Sequence, residues 1–195
     1  GIRFTIDLFS GRPWQRGEFK ALPEFTSDRD YKLGVILYPE MRDNLKAFSR
    51  ALLGHRNPYI GSRWAQEPSL LLVNLVNENT PLHQIRMISG PLREAFDRKF
   101  DAWRREHPDS PEYRRFLGEL YREFYNDMKT FLRKLGVTAP LTDQNYTASP
   151  NAAADRALLD VVDLHLYGDH PEYPGRPWQP PARFGNRSQL ARRLK

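Results

Sequence analysis

The stretch SLLLVNLVNEN, Ser69 to Asn79, is apolar at nearly every position through Val76 and then turns polar at Asn77-Glu78-Asn79. A strand without polar alternation is one covered on both faces, and its usual setting is a parallel sheet packed between layers. The fold reading works outward from this segment. Upstream, Asn57-Pro58-Tyr59-Ile60-Gly61 has the Pro and Gly punctuation of a turn. Before it, Met41, Leu45, Phe48 and Leu52 recur at helical spacing and stop at Gly54, a suitable C-terminal cap. Leu33 to Tyr38 is a short apolar run, preceded by a loop rich in Gly, Pro and aromatics from Ser10 to Arg29. At the start, Ile2, Phe4, Ile6 and Leu8 alternate with Arg3, Thr5, Asp7 and Phe9, the period of a strand.

Downstream, Leu92, Phe96, Phe100 and Trp103 fit one helix, closed by His107-Pro108. A second is expected from Ser110 as cap, with Pro111 at its first position and Glu112 in its first turn. Its apolar stripe runs through Tyr113, Phe116, Leu117, Leu120, Phe124, Met128, Phe131 and Leu135, and Gly136 ends it. Val137 to Tyr146 reads as a short strand, Asn151 to Leu159 as an Ala-rich helix, and Val161 to Tyr167 as a further strand. A Pro-rich loop from His170 to Arg183 holds Trp178. Strands alternating with helices imply an α/β fold with parallel strands and right-handed crossovers. A (β/α)8 barrel takes about 250 residues. The expectation for residues 1–195 is therefore a partial TIM barrel of four strands, near 2–9, 70–77, 139–145 and 161–167, cut from a longer single catalytic domain.

Composition excludes several classes. The chain has 195 residues and no Cys, so disulfide scaffolds, zinc ribbons and thiol nucleophiles are out. Four Trp, nine Tyr and eleven Phe are too much aromatic surface for a disordered chain. No run approaches the roughly 18 apolar residues of a membrane span. The formal charge is +6, but the basic residues are scattered, with pairs at Arg104-Arg105, Arg114-Arg115 and Arg192-Arg193. This reads as a solvated, Arg-rich surface rather than a nucleic-acid footprint, because the aromatics sit at helical core spacing and not between arginines on a strand face.

In parallel barrels the working residues sit at the C-terminal ends of strands. Here those ends carry Asp7, then Asn77-Glu78, then Asp143-Gln144-Asn145, then His165 and Tyr167. A carboxyl group at an apolar rim loses hydration, which raises its pKa and suits a general acid near neutral pH. Glu78 is the sharpest candidate; the competing role is a capping or ion-paired structural glutamate. A metal site from Asp163, His165, Asp169 and His170 has suitable residue types. It is set aside because the first two alternate along a strand and the others lie in a loop, so neither a metal nor another cofactor is expected.

The segment from His55 to Asn79 resembles the fourth-strand region of clan A glycoside hydrolases, in particular cellulase-like members of glycoside hydrolase family 5. The matching residues are Leu53 and His55, Asn57-Pro58-Tyr59 and Gly61, Glu67-Pro68, and Asn77-Glu78. Val162 to Gly175 resembles the sixth-strand region of the same enzymes through His165-x-Tyr167 and His170-Pro171. The resemblance makes the visible strands about three to six of the barrel. It implies retaining hydrolysis of a β-linked polysaccharide or oligosaccharide, with Glu78 as general acid/base. Asn77 would hold the sugar 2-hydroxyl, and His165 and Tyr167 would line the cleft, Tyr167 orienting the nucleophile. Trp178 would stack on a sugar face or, equally, pack its Pro-rich loop.

One role has no occupant. Clan A enzymes carry the nucleophile as a second Glu ending strand seven, about 5–5.5 Å from the acid. After Tyr167 the only carboxylates are Asp169 and Glu172, neither of which follows a further apolar strand. The reading therefore places the nucleophile on a longer chain, with a non-catalytic carbohydrate-binding barrel as the alternative. The sugar, the oligomeric state and the localisation do not follow from these residues; export is common among polysaccharide hydrolases. The 195-residue segment alone is expected to release no reducing sugar from β-linked polysaccharides, and robust hydrolysis by it would end the expectation that the nucleophile lies elsewhere.

Overall fold

The computed structural model describes residues 1–11, 17–20, 27–146, 153–165, 169 and 171–185. The chain divides into two units, Gly1–Asp163 and Leu164–Lys195. The first holds a parallel sheet of three strands, β1 (Phe4–Asp7), β2 (Leu70–Asn74) and β3 (Leu141–Thr142), in that spatial order. The apolar segment that opened the reading is thus the central strand. Register pairs Ile6 with Val73 and Val73 with Leu141, and sets Asp7, Asn74 and Thr142 in a row at the C-terminal ends.

Helices α1 (Asp28–Leu37) and α2 (Pro39–Gly54) follow β1. Sequence periodicity located α2 but left Leu33–Tyr38 as an apolar run; it is the later part of α1. Ser27 caps that helix, its hydroxyl accepting the Asp30 N–H at 3.1 Å. Tyr38 ends α1 and precedes Pro39 at the first position of α2. The two helices meet so closely that a methyl group on Gly34 would run into the Met41 side chain. After β2 come a single helical turn, α3 (Pro81–Gln84), then α4 (Gly90–Glu106) and α5 (Tyr113–Lys134). Helix α5 buries Phe116, Leu117, Leu120, Tyr121, Phe124, Tyr125, Met128 and Leu132 against the sheet and its neighbours. Each such side chain contributes about 1.5–3 kcal/mol of burial. The short α6 (Ala153–Arg156) lies within the expected Ala-rich helix.

Three expectations need correction. Helix α5 starts at Tyr113, not at a Ser110 cap. Ser110 instead turns its N–H back to the His107 carbonyl, and Glu112 stands at the cap position without a side-chain cap bond. The strand expected over 139–145 is only Leu141–Thr142, because Pro140 has no N–H to pair and Gln144 bends into left-handed backbone (φ 56°). Finally, Val161 to His165 form no strand among the described residues. The β3 edge they would join is already occupied by Asp160. Its carboxylate accepts the Leu141 N–H at 3.1 Å, and the N–H groups of Asp160 and Val161 both reach the Leu141 carbonyl.

Asp160 is therefore an edge cap. Burial works to raise its pKa, but the Lys129 ammonium, the Leu141 N–H and the Arg133 guanidinium outweigh this and hold it below the ordinary carboxylate value. A depressed carboxylate contributes stability that is present above its unfolded pKa and lost as pH falls through the folded one. Asp160→Asn is expected to lower unfolding free energy by about 1–3 kcal/mol near neutral pH. In urea titrations the gap to the parent should narrow below about pH 4; a gap that stays constant with pH would contradict the ionic cap.

Candidate active site

The site is built from the C-terminal ends of the three strands. Asp7, exposed at the end of β1, accepts the Asn74 amide at 2.9 Å. Past β1, the Leu8 N–H reaches the Asn74 carbonyl and the Asn77 N–H reaches the Phe9 carbonyl at 2.7 Å. These bonds carry the pairing of β1 and β2 beyond the regular ladder and draw Asn77 and Glu78 to the sheet end. The Phe9 ring lies 4.2 Å from that of Tyr31 on α1, so the first turns of α1 sit beside the same end.

Glu78 is half-buried and takes left-handed backbone, φ 55°. Such a conformation costs a non-glycine residue about 1 kcal/mol or more and persists only when its surroundings impose it. Here they do. The Asn145 side-chain oxygen accepts the Glu78 N–H at 2.6 Å, and the Gln84 amide donates to the Glu78 carbonyl at 2.8 Å. Asn145 is in turn oriented by Asp163, which accepts its amide at 3.2 Å.

Behind Glu78 lies a polar group of residues that reach no solvent. Asp143 is fully buried; its carboxyl accepts the Val76 N–H at 3.1 Å and the Tyr121 hydroxyl at 3.2 Å. Burial pushes its pKa up to about 8, against the pull of the Val76 and Gln144 N–H groups and the Tyr121 hydroxyl. Of the strand-end carboxyls, Asp143, one strand over from the Glu78 that the sequence singled out, carries a raised pKa. Being inaccessible, it is a structural proton holder. Gln144 beside it gives its carbonyl to Arg156 at 2.8 Å.

Three residues at this end escaped sequence reasoning. Lys32 on α1 is half-buried; burial lowers its pKa, while Glu78, then Asp28, and further off Asp7 act to raise it and Arg29 to lower it. His83 on α3 faces Tyr146 after β3, the rings 4.4 Å apart. The available signal was position alone: each lies in a segment that follows a strand on its C-terminal side.

Most of the residues that carried the glycosidase resemblance lie elsewhere. Asn57 to Gly61 forms a tight turn at the opposite, N-terminal end of β2. The Asn57 side chain accepts the Tyr59 N–H at 2.9 Å, and the Gly61 N–H reaches the Asn57 carbonyl. Gly61 needs its positive φ of 71° there. Glu67 accepts the Ser62 hydroxyl and the Ser69 N–H, and these bonds, the Ser62 hydroxyl foremost, hold its pKa below the ordinary value. The motif guides the chain from α2 into β2; of the matching residues between Leu53 and Asn79, Asn77 and Glu78 are the ones that follow β2 at its C-terminal end.

In the second unit, Trp178 is exposed and its ring lies 5.3 Å from that of Tyr173, between arms bridged at Glu172 and Arg183. His165 is half-buried, whereas Tyr167 and His170 lie outside the described residues. Among the described residues no group of three or more His, Asp or Glu is placed to hold a metal ion, and no helix is long and apolar enough to cross a membrane. Comparison with protein-family models, with curated proteins and with solved structures gives no match.

The Asp143 shift has a pH consequence. Between the ordinary carboxylate value of 3.8 and its folded value of about 8, the native chain holds a proton that the unfolded chain releases. Stability through this group therefore falls as pH rises across that window. Asp143→Asn, which keeps an acceptor for Val76, is expected to gain stability relative to the parent on going from about pH 5 to about pH 9. Parallel stability curves for the two proteins, measured by chemical unfolding, would refute a neutral buried Asp143.

Proposed function

We propose that the chain is part of the catalytic domain of a retaining β-glycoside hydrolase, built on a partial (β/α)8 barrel, with Glu78 as general acid/base. The observation that carries this reading is the placement of Glu78: a carboxylate in strained backbone directly past a central parallel strand, fixed through both its N–H and its carbonyl. An acid/base must meet the glycosidic oxygen within hydrogen-bond reach in one geometry, so a rigid main chain beneath the carboxyl serves the chemistry. Asn77, half-buried and tied to Phe9, is offered as the partner of the sugar 2-hydroxyl. Lys32 adds a positive charge facing the Glu78 carboxylate.

In this mechanism Glu78 donates its proton to the leaving oxygen as the nucleophile attacks the anomeric carbon. It then takes a proton from the water that releases the glycosyl-enzyme. The nucleophile is assigned to a further strand outside residues 1–195, so the protein to assay is the longer chain that carries it. There, Glu78→Gln keeps the shape and loses the proton. Hydrolysis of unactivated β-glycosides should fall by about 10²–10⁴-fold. Aryl glycosides with good leaving groups should keep their first step and yield a glycosyl azide when azide is added, since azide needs no base. Unchanged hydrolysis in Glu78→Gln would overturn the assignment.

A further inference from the structure

We propose that His83 and Tyr146 form a sugar-stacking wall beside Glu78, shaped for the C–H face of a pyranose ring. The proposal builds on the reading of Glu78 as the acid/base and names the ligand surface next to it. Two facts of placement carry it. The residue that takes the Glu78 N–H is Asn145, directly before Tyr146; the residue that donates to the Glu78 carbonyl is Gln84, directly after His83. Each ring is therefore one residue from a bond to the Glu78 main chain. The two rings also close on each other, with centroids 4.4 Å apart and planes inclined by 34°. The wall and the carboxyl are held as one unit.

The rings are not core. Asn145 and Gln84 are buried, while His83 and Tyr146 are only half-buried. Among the described residues, the buried core and the side chains packed against it do not include Tyr146. An aromatic ring kept at the mouth of a parallel sheet, rather than in the adjoining core, presents a flat apolar face there. The C–H face of a pyranose fits such a surface, and the phenol and imidazole edges suit its hydroxyls.

The charge state sets the hydrogen bonding that His83 offers. Burial first, then the Arg86 and Arg29 guanidinium groups, lower the His83 pKa below its ordinary value, so the imidazole is neutral at neutral pH. A neutral imidazole offers one N–H donor and one acceptor nitrogen to sugar hydroxyls.

The test is binding of neutral β-linked tetrasaccharides — cello-, manno- and xylotetraose — to the same longer chain, followed by the NMR signals of His83, Tyr146 and Glu78. At least one should shift all three residues. Tyr146→Ala and His83→Ala should each weaken its binding about tenfold or more, while Tyr146→Phe keeps it within about threefold. Tyr146→Phe and His83→Gln keep the test decisive should an alanine variant fail to fold: His83→Gln should still lose affinity. Undiminished binding in Tyr146→Ala and His83→Ala, or no shift of either ring with any of the three sugars at millimolar concentration, would overturn the wall. The two readings fail separately. Glu78→Gln that abolishes hydrolysis alongside undiminished binding in the ring variants removes the wall and leaves the acid/base. Ring variants that lose affinity alongside full hydrolysis in Glu78→Gln remove the acid/base and leave the wall.

Discussion

The structure depends on the pairing of β2 on both of its edges. Backbone donors and acceptors alternate along a strand, so a buried central strand must find partners on two sides or leave polar groups stranded at a cost of about 1–3 kcal/mol each. The Asn74 carbonyl serves Leu8 on one side; the Val73 and Leu75 N–H groups reach Pro140 and Thr142 on the other. Because both pairings are parallel, all three C-terminal ends fall at one end of the sheet. Everything chemical in the first unit follows from that convergence. Asp7, Asn74 and Thr142 share a row, and the turns beyond them compete for the same small volume.

That competition explains the buried polar group. A turn leaving a strand has main-chain donors with no ladder partner, and where it is covered by helices water cannot serve them. The side chains of Asp143 and Asn145 do so, taking the N–H groups of Val76 and Glu78. The cost is a carboxyl sealed under Tyr121, which stays protonated rather than carry a charge in an apolar setting. At the outer edge of β3 the same device works in water. Asp160, partly exposed and flanked by Lys129 and Arg133, takes the Leu141 N–H as a charged group. Two aspartates cap two strand segments, and their opposite pKa shifts follow from opposite access to solvent and cations.

The sequence made the sheet legible because a continuous apolar run has few other uses. Helices α2, α4 and α5 were legible because their stripes are long and end at Gly54, His107-Pro108 and Gly136. Helix α1 was not, because its C-terminal half, Leu33–Leu37, is buried at every position and shows no helical stripe. The fourth strand was over-read for a related reason. Val161 and Val162 have strand propensity, yet both are exposed, and Asp160 occupies the edge they would need. At the site, Glu78 was legible from the change of polarity after Val76. His83 and Tyr146 were not, since no periodic pattern marks either one and their contact joins residues 63 positions apart. The Asn-Pro-Tyr-x-Gly motif showed the reverse. It was conspicuous, but its Asx turn and its glycine serve the entry into β2 at the far end of the sheet.

A last step concerns why a glutamate stands at position 78. Its φ of 55° is a conformation that glycine adopts without cost, and the two bonds that hold it there use only its main chain. Glycine or asparagine would make the bend at lower strain. The two bonds come from different segments, Asn145 after β3 and Gln84 on α3, so the main chain beneath the carboxylate is fixed by the fold and not by the turn alone. Strain held in place by contacts from two other segments, at a carboxylate past the central strand, is the observation on which the acid/base proposal rests.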